Sequence, residues 1–498
     1  MKLTKILSQI DHQFIIKSSK KDIDINDINT DSRLVNKNSA FFALKGLTVD
    51  GNNFIQKAID QGASLIVSDQ DFTNKILENQ TCVFIKTKNC FELLVEFLKI
   101  FYQPLPQNIY AITGTNGKTS TAEFIRQILQ FIGKSSASIG TLGVVCDEKI
   151  KKNIPNSQLT TPDIVSNYKI LSALKKNNID DVAIEVSSVG LEQQRIAGIK
   201  INCGIFTNFS QDHLDYHKTM SEYLRCKMLL FSKVLNENDL AIINSDIEEF
   251  EKINKICQEN RLKIYDYGQK AQKFKIVDVK QKNLGHEIKF SYLDRTFSFE
   301  IESGAKFEAE NIFCALSTII AKFQLNSQQI EELLPKLLKL HSANGRMQRV
   351  AILPSKAQIF IDFAHTPDSL EKILEQGRKM TKARLIVLFG CGGDRDVQKR
   401  PIMGKIATDL ADLAIISDDN PRTEDPAQIR QEIIKSCKKD KFIEISSRKE
   451  AIKQAISMLK ESDILILAGK GHEKYQIIGD QKIEFDEEKI VKEIIKKL

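Results

Sequence analysis

Residues 112–124, ITGTNGKTSTAEF, have the composition of a phosphate-binding loop. Gly114 and Gly117 allow tight turns with inward-facing backbone N–H groups, and a helix predicted to follow them would aim its positive end at the same point. Lys118 supplies a point charge for phosphates, and Thr119 or Ser120 offers a hydroxyl ligand for Mg²⁺. The common loop has a glycine five residues before its Gly-Lys pair, where this chain has an isoleucine. The segment predicts a short nucleotide-phosphate loop, with a purely structural turn as the alternative.

A carboxylate stands at the end of a predicted buried strand in IEVSS, where Glu185 follows apolar residues. Burying a carboxylate without a partner is costly, and a bound metal would offset that cost. An ordinary helix cap or a surface carboxylate is the alternative interpretation.

The segment FTNFSQDHLDYHKTMSEYLRCKMLLF concentrates Asp212, His213, Asp215 and His217 directly after another predicted strand. Carboxylates and imidazoles at such a place favour phosphate and metal chemistry over core packing. The following helix carries Lys227, which we expect on residue type alone to be solvated or to extend its amine towards solvent.

Composition narrows the class of protein. The 498 residues are 42% hydrophobic and 28% charged, which indicates a globular protein of about three domains. No apolar run has the ~18 residues needed to span a bilayer, and we expect a soluble intracellular protein. A net charge of +7 permits a nucleic-acid partner, but no long basic block supports one. Nine cysteines are scattered singly, so neither a disulfide framework nor a zinc site is expected.

The elements that must position these residues follow an α/β pattern. The first hundred residues alternate apolar runs such as SLIVSD and CVFIKT with helical stretches such as CFELLVEFLKIFY, and two prolines in QPLPQ predict a linker. Strand, glycine loop and helix then follow one another, with later strands at VAIEV, CGIFTN and LAIINS. This alternation predicts a mostly parallel sheet. A second break near LHSANGRMQRV completes predicted domains at residues 1–106, 107–338 and 339–498.

In the third predicted domain, four apolar strands run into glycine-rich or charged loops: AQIFIDFAH, RLIVLFGCGG, LAIISDDNP and DILILAGKG. Ligands of open α/β sheets bind at the carboxyl ends of the strands. Each of these loops is therefore a candidate part of a site.

Seven motifs occur in the order of a known family: TGTNGKTS, IEVSS, TNFSQDHLDYH…YLRCK, FIDFAHTPDSLEK, FGCGGDRDVQKRP, DDNPRTEDP and LAGKGHEKYQ. Together they resemble the Mur ligases of bacterial peptidoglycan synthesis, of the type that adds the third residue of the stem peptide. The resemblance covers essentially the whole chain. It implies a small UDP-binding α/β domain, a central P-loop ATPase domain and a C-terminal Rossmann-like domain, and it explains the loop without an early glycine.

The resemblance also implies a reaction. ATP phosphorylates the terminal carboxylate of UDP-N-acetylmuramoyl-L-Ala-D-Glu, and an amine attacks the acyl phosphate to form an amide, with release of ADP and phosphate. By this resemblance ATP is bound by Gly114, Thr115, Asn116, Gly117, Lys118, Thr119, Ser120, Asn311, Arg346, Asp362 and His365. The implied catalytic residues are Lys118, Glu185, His213 and Lys227.

The implied cofactor is Mg²⁺, held by Thr119, by Glu185 and His213, and by Lys227 after carbamylation, which turns the amine into a carboxylate-like ligand. Without the family, Asn311 reads as a polar residue on an amphipathic helix, and the segment around Arg346 reads as a linker turn.

The UDP-linked dipeptide is assigned, again by resemblance, to Thr30, Ser32, Thr48, Val49, Asp50, Thr160, Thr161, Ser187, Gln193 and Arg195. The fork of Arg195 suits a carboxylate because guanidinium groups bind carboxylates with two hydrogen bonds. Unaided, the segment Asp31-Ser32-Arg33 reads as a turn.

The third substrate is implied by DDNPR, whose Arg422 matches the form associated with meso-2,6-diaminopimelate rather than L-lysine. The two amino acids differ by one carboxylate, which a guanidinium recognises. The resemblance assigns further residues to the diaminopimelate pocket: Arg395, Asp419, Asn420, Pro421, Gly469 and Glu473. Of these, Glu473 is expected to face the distal ammonium. Without the resemblance, GKGHE is equally well interpreted as another phosphate-binding turn, and NPR as a loop that initiates a helix.

Three positions depart from the family pattern: Val189 replaces a frequent histidine, Phe363 a tyrosine and Ser120 a threonine. None removes an expected ligand. Competing hypotheses are the lysine-adding ligase, a folylpolyglutamate synthetase and a P-loop nucleic-acid binding protein. Arg422 argues against lysine and the uridine-type first domain against folate. We expect a cytoplasmic monomer that binds neither nucleic acid nor membrane.

Overall fold

The computed structural model describes residues 1–17, 22–46, 49–77, 81–157, 159–282, 285–302 and 306–497. Their α-helices are α1 (Leu3–Leu7), α2 (Ile55–Asp60), α3 (Asn74–Leu77), α4 (Cys90–Phe101), α5 (Lys118–Phe131), α6 (Glu148–Lys151), α7 (Ile164–Lys176), α8 (Ser188–Glu192), α9 (Leu214–His217), α10 (Met220–Leu229), α11 (Phe250–Glu259), α12 (Lys306–Phe323), α13 (Ser327–Leu333), α14 (Pro367–Met380), α15 (Lys399–Leu410), α16 (Pro426–Ile434), α17 (Arg448–Ser457) and α18 (Glu487–Ile495).

The β-strands of the same residues are β1 (Phe14–Ile16), β2 (Asp27–Asn29), β3 (Ser39–Phe42), β4 (Ala63–Ser68), β5 (Val83–Thr87), β6 (Asn108–Thr113), β7 (Ser136–Gly140), β8 (Gly143–Val145), β9 (Asp181–Glu185), β10 (Cys203–Phe206), β11 (Leu240–Asn244), β12 (Lys263–Gly268), β13 (Phe274–Lys282), β14 (Gly285–Tyr292), β15 (Arg295–Ile301), β16 (Gln348–Ile352), β17 (Gln358–Asp362), β18 (Leu385–Phe389), β19 (Leu413–Ile416), β20 (Phe442–Glu444), β21 (Ile464–Ala468), β22 (Tyr475–Ile478) and β23 (Gln481–Glu484).

The chain forms two compact units. The first comprises Met1–Asn116, Gly133–Ile243 and Glu248–Ile264, and the second comprises Gly117–Ile132, Asn244–Ile247 and Tyr265–Leu498. No helix among the described residues is both long enough and apolar enough to cross a membrane. The predicted boundaries at 106/107 and 338/339 remain a prediction.

The first unit contains two parallel arrangements of strands. One sheet has the order β1-β5-β4-β3-β2, with only the β1–β5 pair antiparallel. In the other, β6 lies between β9 and β10, β7 pairs with β9 and β11 pairs with β10, all in parallel. The carboxyl ends of β6, β7, β9 and β10 therefore meet at one edge, which explains how distant motifs reach the same place.

The second unit contains a six-stranded sheet of order β16-β17-β21-β18-β19-β20, parallel except for the β16–β17 pair. It also contains the antiparallel strands β13, β14 and β15. The predicted α/β class with mostly parallel sheets is confirmed, and the quoted apolar runs form strands at their predicted places.

Both faces of the six-stranded sheet are covered, which is why its strands read as continuous apolar runs. Leu385, Val387 and Phe389 of β18 pack in one cluster with apolar residues of α14, α15 and α16. Ile386 and Leu388 of the same strand pack with α17 and α18. The alternation follows from the two-residue period of a strand.

Helix α10 is held at its start by Thr219, whose side chain accepts a hydrogen bond from the Glu222 backbone N–H. Its residues Tyr223, Cys226 and Lys227 are buried, at the spacing of one helix face. The helix thus brings an ionisable side chain into the interior of the first unit.

A buried hydrogen bond joins the two central strands of the first unit. The Tyr110 hydroxyl on β6 donates to Asp181 on β9 over 2.9 Å, and both side chains are buried. Burial raises the pKa of Asp181, so the carboxyl group depends on its protein donors.

We predict that Tyr110→Phe lowers the free energy of unfolding of the first unit by about 1–3 kcal/mol, because Asp181 then stays buried with one donor fewer. Urea unfolding followed by circular dichroism measures the change. Tyr265→Phe, in the second unit, controls for the loss of a tyrosine hydroxyl as such, since no hydrogen bond to the Tyr265 hydroxyl occurs within the described residues. Equal stabilities of the two variants would contradict the prediction.

Candidate active site

The loop after β6 has the backbone conformation that its glycines were expected to allow. Gly114 and Gly117 have φ values of +144° and +81°. A Cβ on Gly114 would collide with the Thr207 hydroxyl, and one on Gly117 with the side-chain amide of Asn311. Both positions combine a conformation that favours glycine with a close neighbour, so a larger residue is excluded twice over.

Asn208 fixes the first part of this loop. Its backbone carbonyl accepts from the Thr115 N–H over 2.9 Å, and its side-chain carbonyl accepts from the Asn116 N–H over 2.8 Å. Sequence reasoning missed this residue, although it follows β10 in the quoted motif FTNFSQDH. Two loop amides predicted to face a phosphate are thus hydrogen-bonded to the protein.

The helix end of the loop lies in the second unit, where α5 begins at Lys118. Thr119 and Ser120 are buried and Lys118 is half-buried. Asn311 on α12 is 7% exposed and its side chain contacts the start of α5, where it accepts from Thr121 over 3.5 Å. The structure thus brings Asn311 against the last glycine of the loop.

Glu185 ends β9 as expected and is 2% exposed. Its carboxylate already has protein donors: the Thr141 N–H lies 2.8 Å from Oε1 and the Thr141 hydroxyl 3.2 Å from Oε2. A Cβ on Gly140 would collide with the same carboxylate. Protein donors therefore offset part of the cost of burying Glu185, because β7 ends beside β9 and supplies Gly140 and Thr141. The alternative of a surface carboxylate was wrong.

The residues predicted for the dipeptide gather at this edge. The Thr161 hydroxyl lies 3.0 Å from the Glu185 backbone carbonyl and 3.2 Å from the Ser187 hydroxyl. The Thr160 hydroxyl lies 3.2 Å from that of Thr141. Hydroxyl groups therefore surround Glu185.

Arg195 lies at the same edge, with its guanidinium turned towards the protein. It donates to Gln193 over 2.8 Å and to the Thr161 backbone carbonyl over 2.7 Å. Burial lowers the pKa of Arg195. A carboxylate ligand would therefore meet a guanidinium already held in a fixed orientation.

Lys227 is 1% exposed, which contradicts the expectation of a solvated or outward-reaching side chain. Its Nζ donates to the Gly114 backbone carbonyl over 2.7 Å and lies 4.3 Å from the centre of the Tyr223 ring. The physical reason is that α10 packs its Lys227 face inwards against the start of the glycine loop.

The two histidines of DHLDYH have different surroundings. His213 precedes α9 with a left-handed φ of +53° and a half-exposed side chain, 3.5 Å from Asp212. His217 is buried, its Nε2 lies 2.8 Å from the Ser188 hydroxyl, and burial lowers its pKa. The side chain of Asp215 lies outside the described residues.

In the second unit, Asp362 at the end of β17 accepts from the backbone N–H groups of Met347 and Ala364 over 2.6 and 2.7 Å. Burial raises the pKa of Asp362, while the positive charge of Arg346 acts in the opposite direction and lowers it. The predicted nucleotide residues Arg346 and Asp362 are thus electrostatically coupled.

Phe363 packs between two histidines, with ring centres 4.5 Å from His365 and 4.9 Å from His472. The Arg346 guanidinium lies 5.1 Å from the same ring. Burial lowers the pKa of His472 to about 4, so this imidazole is neutral at neutral pH. Sequence reasoning missed His472, which belongs to the quoted motif GKGHE.

The residues predicted for diaminopimelate lie on loops at the carboxyl ends of β18, β19 and β21. Asn420 donates to Glu473 over 2.9 Å and accepts from Lys470 over 3.0 Å. Gly469, with a φ of +111°, leaves room for Asp419, since a Cβ would lie 2.8 Å from its carboxylate. Lys470 is fully buried and was missed by the sequence reasoning.

Arg422 is half-buried, and its Nη1 donates to the Gly393 backbone carbonyl over 2.7 Å. Among the described residues Arg422 forms no ion pair within 4.0 Å, although its charge lowers the pKa of Asp394 on the neighbouring loop. Pro421 before it is buried, whereas Arg395 on the neighbouring loop is exposed. Arg422 can therefore receive a carboxylate from outside the chain.

A buried arginine positions the Arg422 loop. Arg400 has no exposed surface and donates to Glu424 over 2.8 and 2.9 Å and to Glu432 over 2.7 Å. Glu424 in turn accepts from the Asp394 backbone N–H. The hydrogen bond with Arg400 lowers the pKa of Glu424, which keeps the pair charged.

The residues predicted for UDP occupy two short turns of the first unit. Ser32 begins a 3₁₀ turn, Ser32–Leu34, capped by Asp31, so the alternative interpretation as a turn describes its backbone. Asp50 caps the turn Gly51–Phe54. Thr30 is half-buried and Val49 exposed, and Thr48 lies outside the described residues.

Comparison with known proteins gives a consistent result along the chain. Three family models match: the Mur ligase family, catalytic domain, at residues 24–102; the Mur ligase middle domain at 112–319; and the Mur ligase, glutamate ligase domain at 345–471.

Two relatives are named UDP-N-acetylmuramoyl-L-alanyl-D-glutamate–2,6-diaminopimelate ligase. The one from Rickettsia bellii (strain RML369-C) is 41% identical over 470 residues, covering 94% of this chain and 95% of the relative. The one from Clostridium tetani (strain Massachusetts / E88) is 37% identical over 503 residues and the full length of both. A solved structure of an enzyme with that name is 30% identical, covers 95% of each chain and has a TM-score of 0.68. The chain belongs to the Mur ligase family and contains its three domains, N-terminal, middle and C-terminal.

Proposed function

We propose that this chain is an ATP-dependent amide ligase that adds meso-2,6-diaminopimelate to UDP-N-acetylmuramoyl-L-Ala-D-Glu in peptidoglycan synthesis. The names of the full-length relatives support this substrate pair. The observation that carries the choice of amine is Arg422, a half-buried guanidinium that forms no ion pair within 4.0 Å among the described residues. The same relatives do not favour the lysine-adding alternative.

The reaction couples two transfers. The γ-phosphoryl group of ATP passes to the terminal carboxylate of the dipeptide, giving an acyl phosphate and ADP. The amine of diaminopimelate attacks the acyl carbon, phosphate leaves, and the amine gives up its proton as the amide forms. Phosphate is needed as the leaving group because an amine does not displace oxide or hydroxide from a carboxylate.

The glycine loop supports phosphate binding in this scheme. Lys118 and the start of α5 provide positive charge for the β- and γ-phosphates. We assign Gly114 to Ser120, Asn311, Arg346, Asp362 and His365 to the nucleotide.

The donors proposed for Mg²⁺ are chemically suitable. Thr119 offers a hydroxyl and Glu185 a carboxylate in a fixed orientation, both of which are oxygen donors that Mg²⁺ prefers. His213 offers a half-exposed imidazole. Lys227 fits only after carbamylation, because an ammonium cannot ligate a cation. When bound, Mg²⁺ supplies charge neutralisation for the phosphates.

The remaining assignments concern substrate orientation. We propose that Arg195 and the hydroxyls of Thr160, Thr161 and Ser187 orient the dipeptide. Arg422 receives the distal carboxylate of diaminopimelate. Glu473 approaches its distal ammonium, although Asn420 and Lys470 also contact Glu473, at 2.9 and 3.6 Å. A monomeric state, a cytoplasmic location and the lack of nucleic-acid binding remain predictions.

We predict phosphate release when the purified protein is mixed with ATP, Mg²⁺, UDP-N-acetylmuramoyl-L-Ala-D-Glu and meso-diaminopimelate. L-lysine is expected to support phosphate release at least about 100-fold more slowly, because it has no second carboxylate to pair with the half-buried Arg422. A reaction without any amine serves as the blank. Equal rates with both amines would refute the proposed amine, and no release from folded protein would refute the proposed ligase.

Gly117→Ala tests the nucleotide assignment. We predict at least about 10-fold weaker ADP binding by calorimetry, because the new Cβ meets Asn311 at a left-handed φ. Gly133→Ala is the matched control, since its φ is +79° but nothing lies within 4 Å of the added Cβ. Similar ADP affinities of the two variants would show that crowding at the loop is unimportant for binding.

Arg422→Ala is expected to raise KM for diaminopimelate by about 10- to 100-fold, the value of a charged hydrogen-bonded pair, while KM for ATP stays within about 2-fold. Steady-state phosphate release at varied substrate measures both. Arg261→Ala, at an exposed arginine paired with Glu237, is the control. A variant that loses ATP use and keeps its affinity for the amine would disprove the pocket.

A further inference from the structure

Three side chains that the proposed ligase reaction does not use converge between helices of the first unit. They are Glu192 at the end of α8, His217 at the end of α9 and Cys226 on α10. One ligand atom from each lies within 4.8 Å of the other two. We propose that this triad, called here the Glu192-His217-Cys226 site, binds a borderline transition-metal ion of the Zn²⁺ class.

Two atoms of the triad lack hydrogen-bond partners. His217 is 3% exposed, and its Nδ1 is buried without a partner in the part of the chain that the structure describes. The Oε2 of Glu192 is also buried with no partner within 3.5 Å there, although the Tyr216 hydroxyl and the Cys226 thiol interact with this carboxylate. Leaving such atoms unpaired is costly, and a metal ion would satisfy both.

The orientation of the histidine suits a metal ligand. The Ser188 hydroxyl contacts Nε2 over 2.8 Å, which fixes the ring and leaves Nδ1 for the metal. Metal-ligating histidines regularly have their second nitrogen held in this way.

The donor set selects the class of ion. A thiolate, an imidazole and a carboxylate together favour Zn²⁺ over Mg²⁺, which prefers oxygen donors. Tetrahedral bonds of the usual Zn²⁺ lengths place ligand atoms about 3.3–3.8 Å apart, so the triad needs only a modest contraction. Binding releases the Cys226 thiol proton to solvent as the sulfur–metal bond forms.

Two cationic side chains of the described residues lie near this site, Arg225 and Lys227, and the charge of Lys227 lowers the pKa of His217. The Arg225 guanidinium is 3.5 Å from the Cys226 sulfur and 3.8 Å from Glu192. It is half-exposed and bound to Glu222 over 2.6 Å, so its shift towards solvent costs little.

The separate cysteines gave no sign of this site in the sequence, because its ligands come from three helices rather than from a paired motif. An ion there would join α8, α9 and α10 just beside Lys227. We therefore assign the site a role in fixing α10, independent of the Mg²⁺ donors proposed above.

The test is titration of the metal-free full-length protein with Co²⁺, followed by absorption spectroscopy. We expect a thiolate-to-cobalt charge-transfer band in the near ultraviolet that saturates at micromolar Co²⁺ and is displaced by Zn²⁺. A Co²⁺ ion at the proposed Mg²⁺ donors gives no such band, since they include no sulfur.

Cys226→Ser should abolish the band, and His217→Gln should weaken binding at least about 10-fold. The matched control Cys257→Ser, at a buried cysteine on α11, should keep it. If Cys226→Ser fails to fold by circular dichroism, Glu192→Gln at the half-exposed ligand replaces it and should weaken Co²⁺ binding at least about 10-fold. The site is refuted if the native protein gives no charge-transfer band, or if the band survives in the folded ligand variants.

Discussion

The buried Nζ of Lys227 is the constraint on which the proposed catalytic edge depends. A lysine that is 1% exposed must have hydrogen-bond partners, and the Gly114 carbonyl is one of them, at 2.7 Å. The carbonyl can accept only if the loop leaves β6 with the conformation that Gly114 adopts, at a φ of +144°. The position of α10 and the start of the phosphate loop are therefore coupled through this hydrogen bond.

In the second unit, the buried cation Arg400 likewise fixes the position of a loop through its partner. Arg400 has no exposed surface and holds Glu424, which lies two residues beyond Arg422 in the loop proposed to read the amino acid. Removing one partner of such a pair leaves an uncompensated charge in the interior. Because the Arg400–Glu424 pair holds the loop in place, Arg422 is not needed for an ion pair within the loop. The loop thus combines a fixed residue, Glu424, with the proposed binding group Arg422 two positions earlier.

The strands and helices were largely predictable, for a local reason. Parallel strands covered on both faces read as continuous apolar runs, so VAIEV and DILILAGKG predicted β9 and the strand Ile464–Ala468. Helix α5 was recognisable from its apolar spacing and from the loop before it. The contacts of individual side chains were less predictable. On residue type alone Lys227 was expected in solvent, and that expectation was wrong. The hydrogen bonds from Thr141 to Glu185 were not foreseen.

The sequence by itself determined the order of the elements, the glycine loop at residues 114–117 and membership of the Mur ligase family, because these depend on residue types at short spacing. Only the tertiary structure decided which partners the buried polar groups have. Thr141 reaches Glu185 from 44 positions away in the chain, and Lys227 reaches Gly114 from 113. Such pairs form because parallel strands end at one edge and helices pack across it, and no local pattern in the sequence encodes that geometry.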